Sequence, residues 1–205
     1  MGKTLCLFKY LIIKYKIMGI SQMIKKHNVT IATIVNNIDW VITRAREIDL
    51  DNELFLAREL DIIMKHFKKL YSFAGVSSNN MFWNLTQNPI RVIHIPISEG
   101  RYSTIVNPKV LKLEGKYFNS IEACGSVPEN NYMVKRKPYV SISGYTLEKK
   151  YLELEYGSKD FDGGEEPVLS SYYYNEWVVQ HEMDHLDGIT VKDKGTLFDL
   201  NSLMG

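Results

Sequence analysis

The chain has only two cysteines among its 205 residues, Cys6 and Cys124. One pair at most makes no disulfide scaffold, and a reducing compartment is the default expectation. Long apolar runs are also missing. The nearest stretch, residues 5–20, is broken by Lys9, Lys14 and Lys16, too many charges for a hydrocarbon core. Neither sign of charge is in excess: Lys+Arg 25 stands against Asp+Glu 24, a net charge of +1. Proteins that hold nucleic acid by neutralising phosphates carry a clear basic surplus, so direct nucleic-acid binding is not expected. No acidic residue precedes Asp39 and no arginine precedes Arg44, while Lys3, Lys9, Lys14, Lys16, Lys25 and Lys26 are present. An acid-free basic start is one mark of an organelle presequence, here residues 1–38. A solvated basic tail, or an extension ahead of a second start at Met18, is the plainer alternative.

Enough remains for a core. Apolar residues make up 45% of the chain and charged residues 24%, which is ordinary globular usage. One domain over 51–205 behind a basic extension of 1–50 is the expected organisation. Leu56, Leu60, Ile63, Phe67 and Leu70 recur every three or four residues, so 52–70 is expected to be an amphipathic helix with Asp51 as its N-cap. Residues 91–97 alternate as a strand, and Asn107-Pro108 is expected to be a turn. Residues 139–146 and 150–156 read as a hairpin. Residues 157–171 read as an exposed loop containing Asp160, Asp162, Glu165 and Glu166. From 173 to 186 the pattern is helical, with Gly188 as its stop.

The chemistry is concentrated in His181-Glu182-Met183-Asp184-His185. Histidines four apart on a helix share a face and can reach one metal ion. The glutamate between them lies about 100° around the helix, placed to act as a general base. A catalytic metal of this type needs a third protein ligand and an open position. The third ligand in the metzincin proteases would be a histidine at 191, which is Val191 here. A thermolysin-like site would need a later glutamate, and none follows Glu182. Two candidates remain. Gly195-Thr196-Leu197-Phe198-Asp199 resembles the G-T-x-x-D segment of the aspzincins, with Asp199 as ligand. The other candidate is Cys124, whose thiolate suits zinc or ferrous iron.

Cys124 lies in Glu122-Ala123-Cys124-Gly125-Ser126-Val127-Pro128. This segment resembles the E-G-C-L-S-(V/I)-P motif of the peptide deformylases. That family also carries H-E-x-D-H-L-x-G, which residues 181–188 match at every fixed position. A third family motif, G-x-G-x-A-A-x-Q, is similar to 73–80 in a degraded form. There Gly75 is kept, Phe73 replaces the first glycine, Ser77 and Ser78 replace the alanines, and Asn80 replaces the glutamine. The resemblance spans about 50–200.

The resemblance implies an α+β, peptide-deformylase-like fold: antiparallel sheets around a central metal-binding helix. It implies one divalent metal ion, Fe2+ or Zn2+, held by Cys124, His181 and His185. It also implies hydrolytic removal of the formyl group from N-formylmethionyl nascent peptides, with Glu182 as general base. Asn80 and the Gly125 N–H would be the oxyanion donors. Asn80 is one methylene shorter than glutamine, and losing an oxyanion donor lowers rates by about 10²–10³. Gly75, Tyr174, Trp177 and Val178 would line the substrate pocket, although core packing is an equal reading for the last three. A catalytically impaired deformylase-like binding protein and a metallopeptidase using Asp199 are the alternatives. The ribosome exit region is a further candidate partner. The expected location is the cytoplasm of a bacterium or phage-infected host, or a mitochondrion or plastid if residues 1–38 are a presequence.

Overall fold

A computed structural model describes residues 38–81, 88–98, 100–161, 168–169 and 175–200. Residues 1–37, the remaining loop acids (Asp162, Glu165 and Glu166) and Tyr174 lie outside them. Four α-helices are described: α1 (Ile38–Val41), α2 (Leu54–Tyr71), α3 (Asn175–Leu186) and α4 (Val191–Lys194), with a 3-10 turn at Ser78–Asn80. The strands are β1 (Val76–Ser77), β2 (Val92–Ser98), β3 (Arg101–Glu114), β4 (Phe118–Cys124), β5 (Val127–Arg136), β6 (Tyr139–Tyr145), β7 (Tyr151–Gly157), β8 (Val168–Leu169) and β9 (Gly195–Phe198). They form two sheets, β1-β2-β3-β6-β7 and β8-β4-β5-β9. Every pairing is antiparallel except β4 with β8. The expected α+β class is what the chain adopts.

The larger sheet is covered on both faces, so β2 is buried along most of its length. Val92 joins the α2 side with Leu60, Met64 and Phe67. Ile93 and Ile95 join the α3 side with Val179, Met183 and Leu186. At about 1.5–3 kcal/mol for each large apolar side chain removed from water, this double covering is the main force that positions α3. The opposite side of α3 meets the smaller sheet, where Trp177 packs on Phe118 and His181 and His185 reach Glu122 and Cys124 of β4. Helix α3 is thus enclosed between the sheets, which is why so few of its residues alternate cleanly between apolar and polar.

Several details depart from the sequence expectations. Helix α2 begins at Leu54, and its N-cap is Glu53 rather than Asp51. Asp49 closes the preceding turn by accepting from Asp51 N at 2.8 Å, which delays the helix, and Asp51 instead pairs with Lys149 at 2.7 Å. Asn107-Pro108 is no turn, because β3 runs through it. Asn107 takes φ +50 at a register shift, where Pro108 needs no ladder N–H. The freed Asn107 carboxamide bonds Ile48 N at 3.0 Å and Ile48 O at 2.8 Å.

Residues 44–48, expected to end a basic extension, are therefore built into the body. Ala45 N donates to Leu186 O at 2.8 Å, and Ala45 and Ile48 are buried. Just upstream, Trp40 and Val41 are buried as well. The hairpin β6–β7 and the stop at Gly188 form as expected. At Gly188, φ is +75 and a Cβ would stand 2.2 Å from Ile42 O, so only glycine fits.

Candidate metal centre

Helix α3 brings His181 and His185 one turn apart, and the end of β4 brings Cys124 to them. Cys124 Sγ lies 3.2 Å from His185 Nε2, and His185 Nε2 lies 3.2 Å from His181 Nε2. These are the only three Cys, His, Asp or Glu residues that gather in such a group among the described residues. A tetrahedral ion with a sulfur ligand at about 2.3 Å and nitrogen ligands at about 2.0–2.1 Å keeps its donors roughly 3.3–3.6 Å apart. Both observed spacings, 3.2 Å, are slightly shorter than that, so an ion would spread the donors by a few tenths of an ångström. The donor chemistry fits: a thiolate and two imidazoles suit Zn2+ or Fe2+.

The surroundings tune the donors. His181 Nδ1 lies 3.0 Å from Glu122 Oε2, which leaves Nε2 for the ion. Glu122 is 3% exposed and holds Arg136 through two 2.7 Å contacts, Nε to Oε1 and Nη2 to Oε2. Arg136 also bonds Asp184, the fixed aspartate of the helix motif, and Lys194 bonds that aspartate in turn. Burial disfavours the Glu122 carboxylate, but Arg136 outweighs it and brings the pKa down to about 2. Burial also opposes ionisation of Cys124, yet the charge of His185 and hydrogen bonds with both histidines lower its pKa to about 4. Burial would lower His181, but Cys124 and then Glu122 raise it well above the ordinary imidazole value. The cluster is therefore a thiolate site with a matching proton load, which a cation can replace.

Glu182 is 5% exposed, and its Oε2 has no hydrogen-bond partner among the described residues. Burial is the largest influence on its carboxyl and raises its pKa; the two histidines and Ser77 act against that. Gly75 sits beside it. A Cβ there would stand 2.6 Å from Val178 Cγ1 and 2.9 Å from Glu182 Cγ. Glycine at 75 is thus a condition for the first motif to approach α3. Asn80 turns Oδ1 toward Ser77, accepting from its N at 2.8 Å and its Oγ at 2.7 Å. Asn80 Nδ2 donates to Ser126 Oγ at 2.9 Å. One of its two amide hydrogens remains for another acceptor.

Of the expected pocket residues, Val178 borders Gly75, whereas Trp177 is 2% exposed and packs on Phe118 with ring centroids 4.9 Å apart. Core packing is what the structure shows for Trp177. Asp199 is exposed and outside the donor group, and Cys124 is the residue that gathers with the two histidines. Residue-by-residue reading missed Arg136 and Gln180. Arg136 looks like any basic residue on a strand. Gln180, next to the motif, clamps Lys137 at both its N and its O.

The profile of the polypeptide deformylase family matches residues 44–199. The chain belongs to the polypeptide deformylase family. Curated relatives include a peptide deformylase of Desulforudis audaxviator, 32% identical over 109 residues, covering 52% of this chain and 59% of the relative. One of Syntrophomonas wolfei is 35% identical over 106 residues, with the same coverage of 52% and 59%. The chain thus spans about three fifths of the length of these deformylases. In fold it is similar to the peptide deformylase of Thermotoga maritima, with a TM-score of 0.60, 20% identity, and coverage of 79% of this chain and 95% of that one. The Synechococcus elongatus deformylase crystallised with actinonin gives a TM-score of 0.61, 18% identity, and coverage of 83% and 82%. The deformylase fold is thus established for the described body.

Proposed function

We propose that this chain is a metal-dependent hydrolase that removes the formyl group from N-formylmethionyl ends of newly made polypeptides. The observation that carries the reading is the convergence of Cys124, His181 and His185 beside the buried carboxylate of Glu182. Cys124, His181 and His185 would hold one divalent ion, Fe2+ or Zn2+, which would supply Lewis acidity toward water at the site. Glu182 accepts a proton from the attacking water and returns it to the amine nitrogen as the C–N bond breaks, leaving formate and a free N-terminus. Its raised pKa and unengaged Oε2 suit a group that must both take and give a proton. The Gly125 N–H and the remaining Asn80 amide hydrogen are the donors for the oxyanion.

The test is formate release from formyl-Met-Ala-Ser by protein loaded with Fe2+ or Zn2+. Turnover is expected. Cys124→Ala should lose both bound metal and activity, whereas Asp199→Ala should keep both. Metal retained by Cys124→Ala and lost by Asp199→Ala would instead make the chain an Asp199-type peptidase. Full metal loading without turnover would favour a binding protein, a reading to which the short reach of Asn80 lends support. A cytoplasmic site of action is part of the proposal, since nascent formylated chains are its substrate.

A further inference from the structure

Two departures from the family motifs meet in space. Phe73 stands where the first motif has glycine, and Gly125 stands where the second has leucine. A Cβ built on Gly125 would lie 2.9 Å from Phe73 Cζ and 3.1 Å from Cε1. Real Cβ atoms do not come within 3.0 Å of a heavy atom packed against them. Where it stands, the ring occupies the space that a side chain at 125 would need, and it meets Gly125 with its apex. Phe73 is partly buried and packs against the core cluster that includes Leu60 and Phe67.

Position 125 directly follows the ligand Cys124. Two residues after Phe73, Gly75 lies against Glu182. The stretch 73–75 thus touches both the proposed base and the residue beside the metal donors. Gly125 itself is exposed, so the contact stands at the mouth of the site rather than deep in the core.

We propose that Phe73 and Gly125 form one compensated exchange, and that Phe73 is a specificity-determining residue. The side chain bordering the metal centre comes from the first motif instead of the second. An aromatic ring now offers its surface where the family has an aliphatic branch. The ring favours peptides whose second residue is aromatic, because offset or edge-to-face ring pairs add attraction beyond area burial. This rests on the deformylase reading for its substrate, but the pairing of 73 with 125 does not.

The test has two readouts. The first is thermal stability of the full chain. Gly125→Leu should lower Tm by about 3–10 °C, because it overpacks against the ring. Adding Phe73→Gly should return most of that loss. An unchanged Tm in Gly125→Leu, or a double variant no better than the single, would overturn the pairing. If Gly125→Leu fails to fold, recovery of folding in the double variant decides the same point. The second readout is calorimetric binding of the product-type peptides Met-Phe-Ser and Met-Ala-Ser to metal-loaded protein. The chain should prefer Met-Phe-Ser by about 2- to 12-fold, the value of one aromatic pair. Phe73→Leu, which keeps the core contact but removes the ring, should lose that preference. An unchanged ratio, or no binding of either peptide, would overturn the specificity role. A chain that binds with this preference yet releases no formate from formyl-Met-Phe-Ser would sink the deformylase reading and leave the pair standing.

Discussion

His94 and His181 are both inside the molecule, and their surroundings push them in opposite directions. His94 lies on β2 beneath α2. Its Nδ1 is 2.9 Å from Thr104 Oγ1, Thr104 donates to Asp61, and Lys65 covers Asp61 at 2.8 Å. Tyr102 stacks on the ring, and Lys68 lies over Tyr102. Burial is the largest influence on His94; Asp61 raises it, but Lys65 and Lys68 lower it, and its pKa falls to about 4. His181 suffers the same burial, yet a thiolate and a carboxylate raise it. Burial alone does not decide a histidine's charge. The sign of the charge beside it decides, and how directly the ring meets that charge. At His94 the Asp61 carboxylate is reached only through Thr104 and is held by Lys65; at His181 the Glu122 carboxylate is in direct contact.

The comparison can be broken most severely at Arg136. Replacing it with Met leaves Glu122 buried without its cation, and stability should fall by about 3–5 kcal/mol, read by urea unfolding. A loss below 1 kcal/mol would mean that Glu122 takes up a proton freely and the network carries little.

The His94 side is tested by pH. Its folded pKa of about 4 lies below the unfolded value near 6.5, so the folded protein binds fewer protons between those values. Stability should therefore be complete above about pH 6.5 and decline as pH falls toward 4. The full shift corresponds to about 3 kcal/mol, or roughly 2 kcal/mol once solvent screening is allowed for. In His94→Phe that component of the slope should vanish. A slope equal to the parent's would show that His94 is not held neutral.

Glu122→Gln keeps the shape but removes the charge facing His181. Metal affinity should drop about 10- to 100-fold, measured by competition with a chelator, as for other groups that orient a ligating histidine. Unchanged affinity would make Glu122 a purely structural partner of Arg136. The smallest effect is expected at Thr104→Val, about 1–2 kcal/mol by urea unfolding, because it removes the hydroxyl that bonds both His94 and Asp61.

Much of this was legible in the sequence because it is local. The i, i+4 spacing of His181 and His185 places both rings on one helix face in any fold. Gly188 ends that helix by its backbone freedom. The hairpin strands show period-two alternation. The motif around Cys124 pointed to it as a third donor, but Asp199 stayed open beside it. What was not legible is non-local. The start of α2 was misplaced because Asp49, not Asp51, organises the turn before it. The Asn107-Pro108 turn was misread because a tertiary contact with Ile48 supports a bulge there.

By itself, then, the sequence determined which residue types could do chemistry and which short spacings present them on one face, since helix and strand periodicities are properties of the backbone. Tertiary structure alone decided which of the two candidate third ligands meets the histidines, that Arg136 and Glu122 orient His181, and that Phe73 and Gly125 exchange volumes. Those outcomes depend on two sheets closing around α3, and burial of its apolar face, not any local preference, brings residues 61 positions apart to 3.2 Å, as at Cys124 and His185.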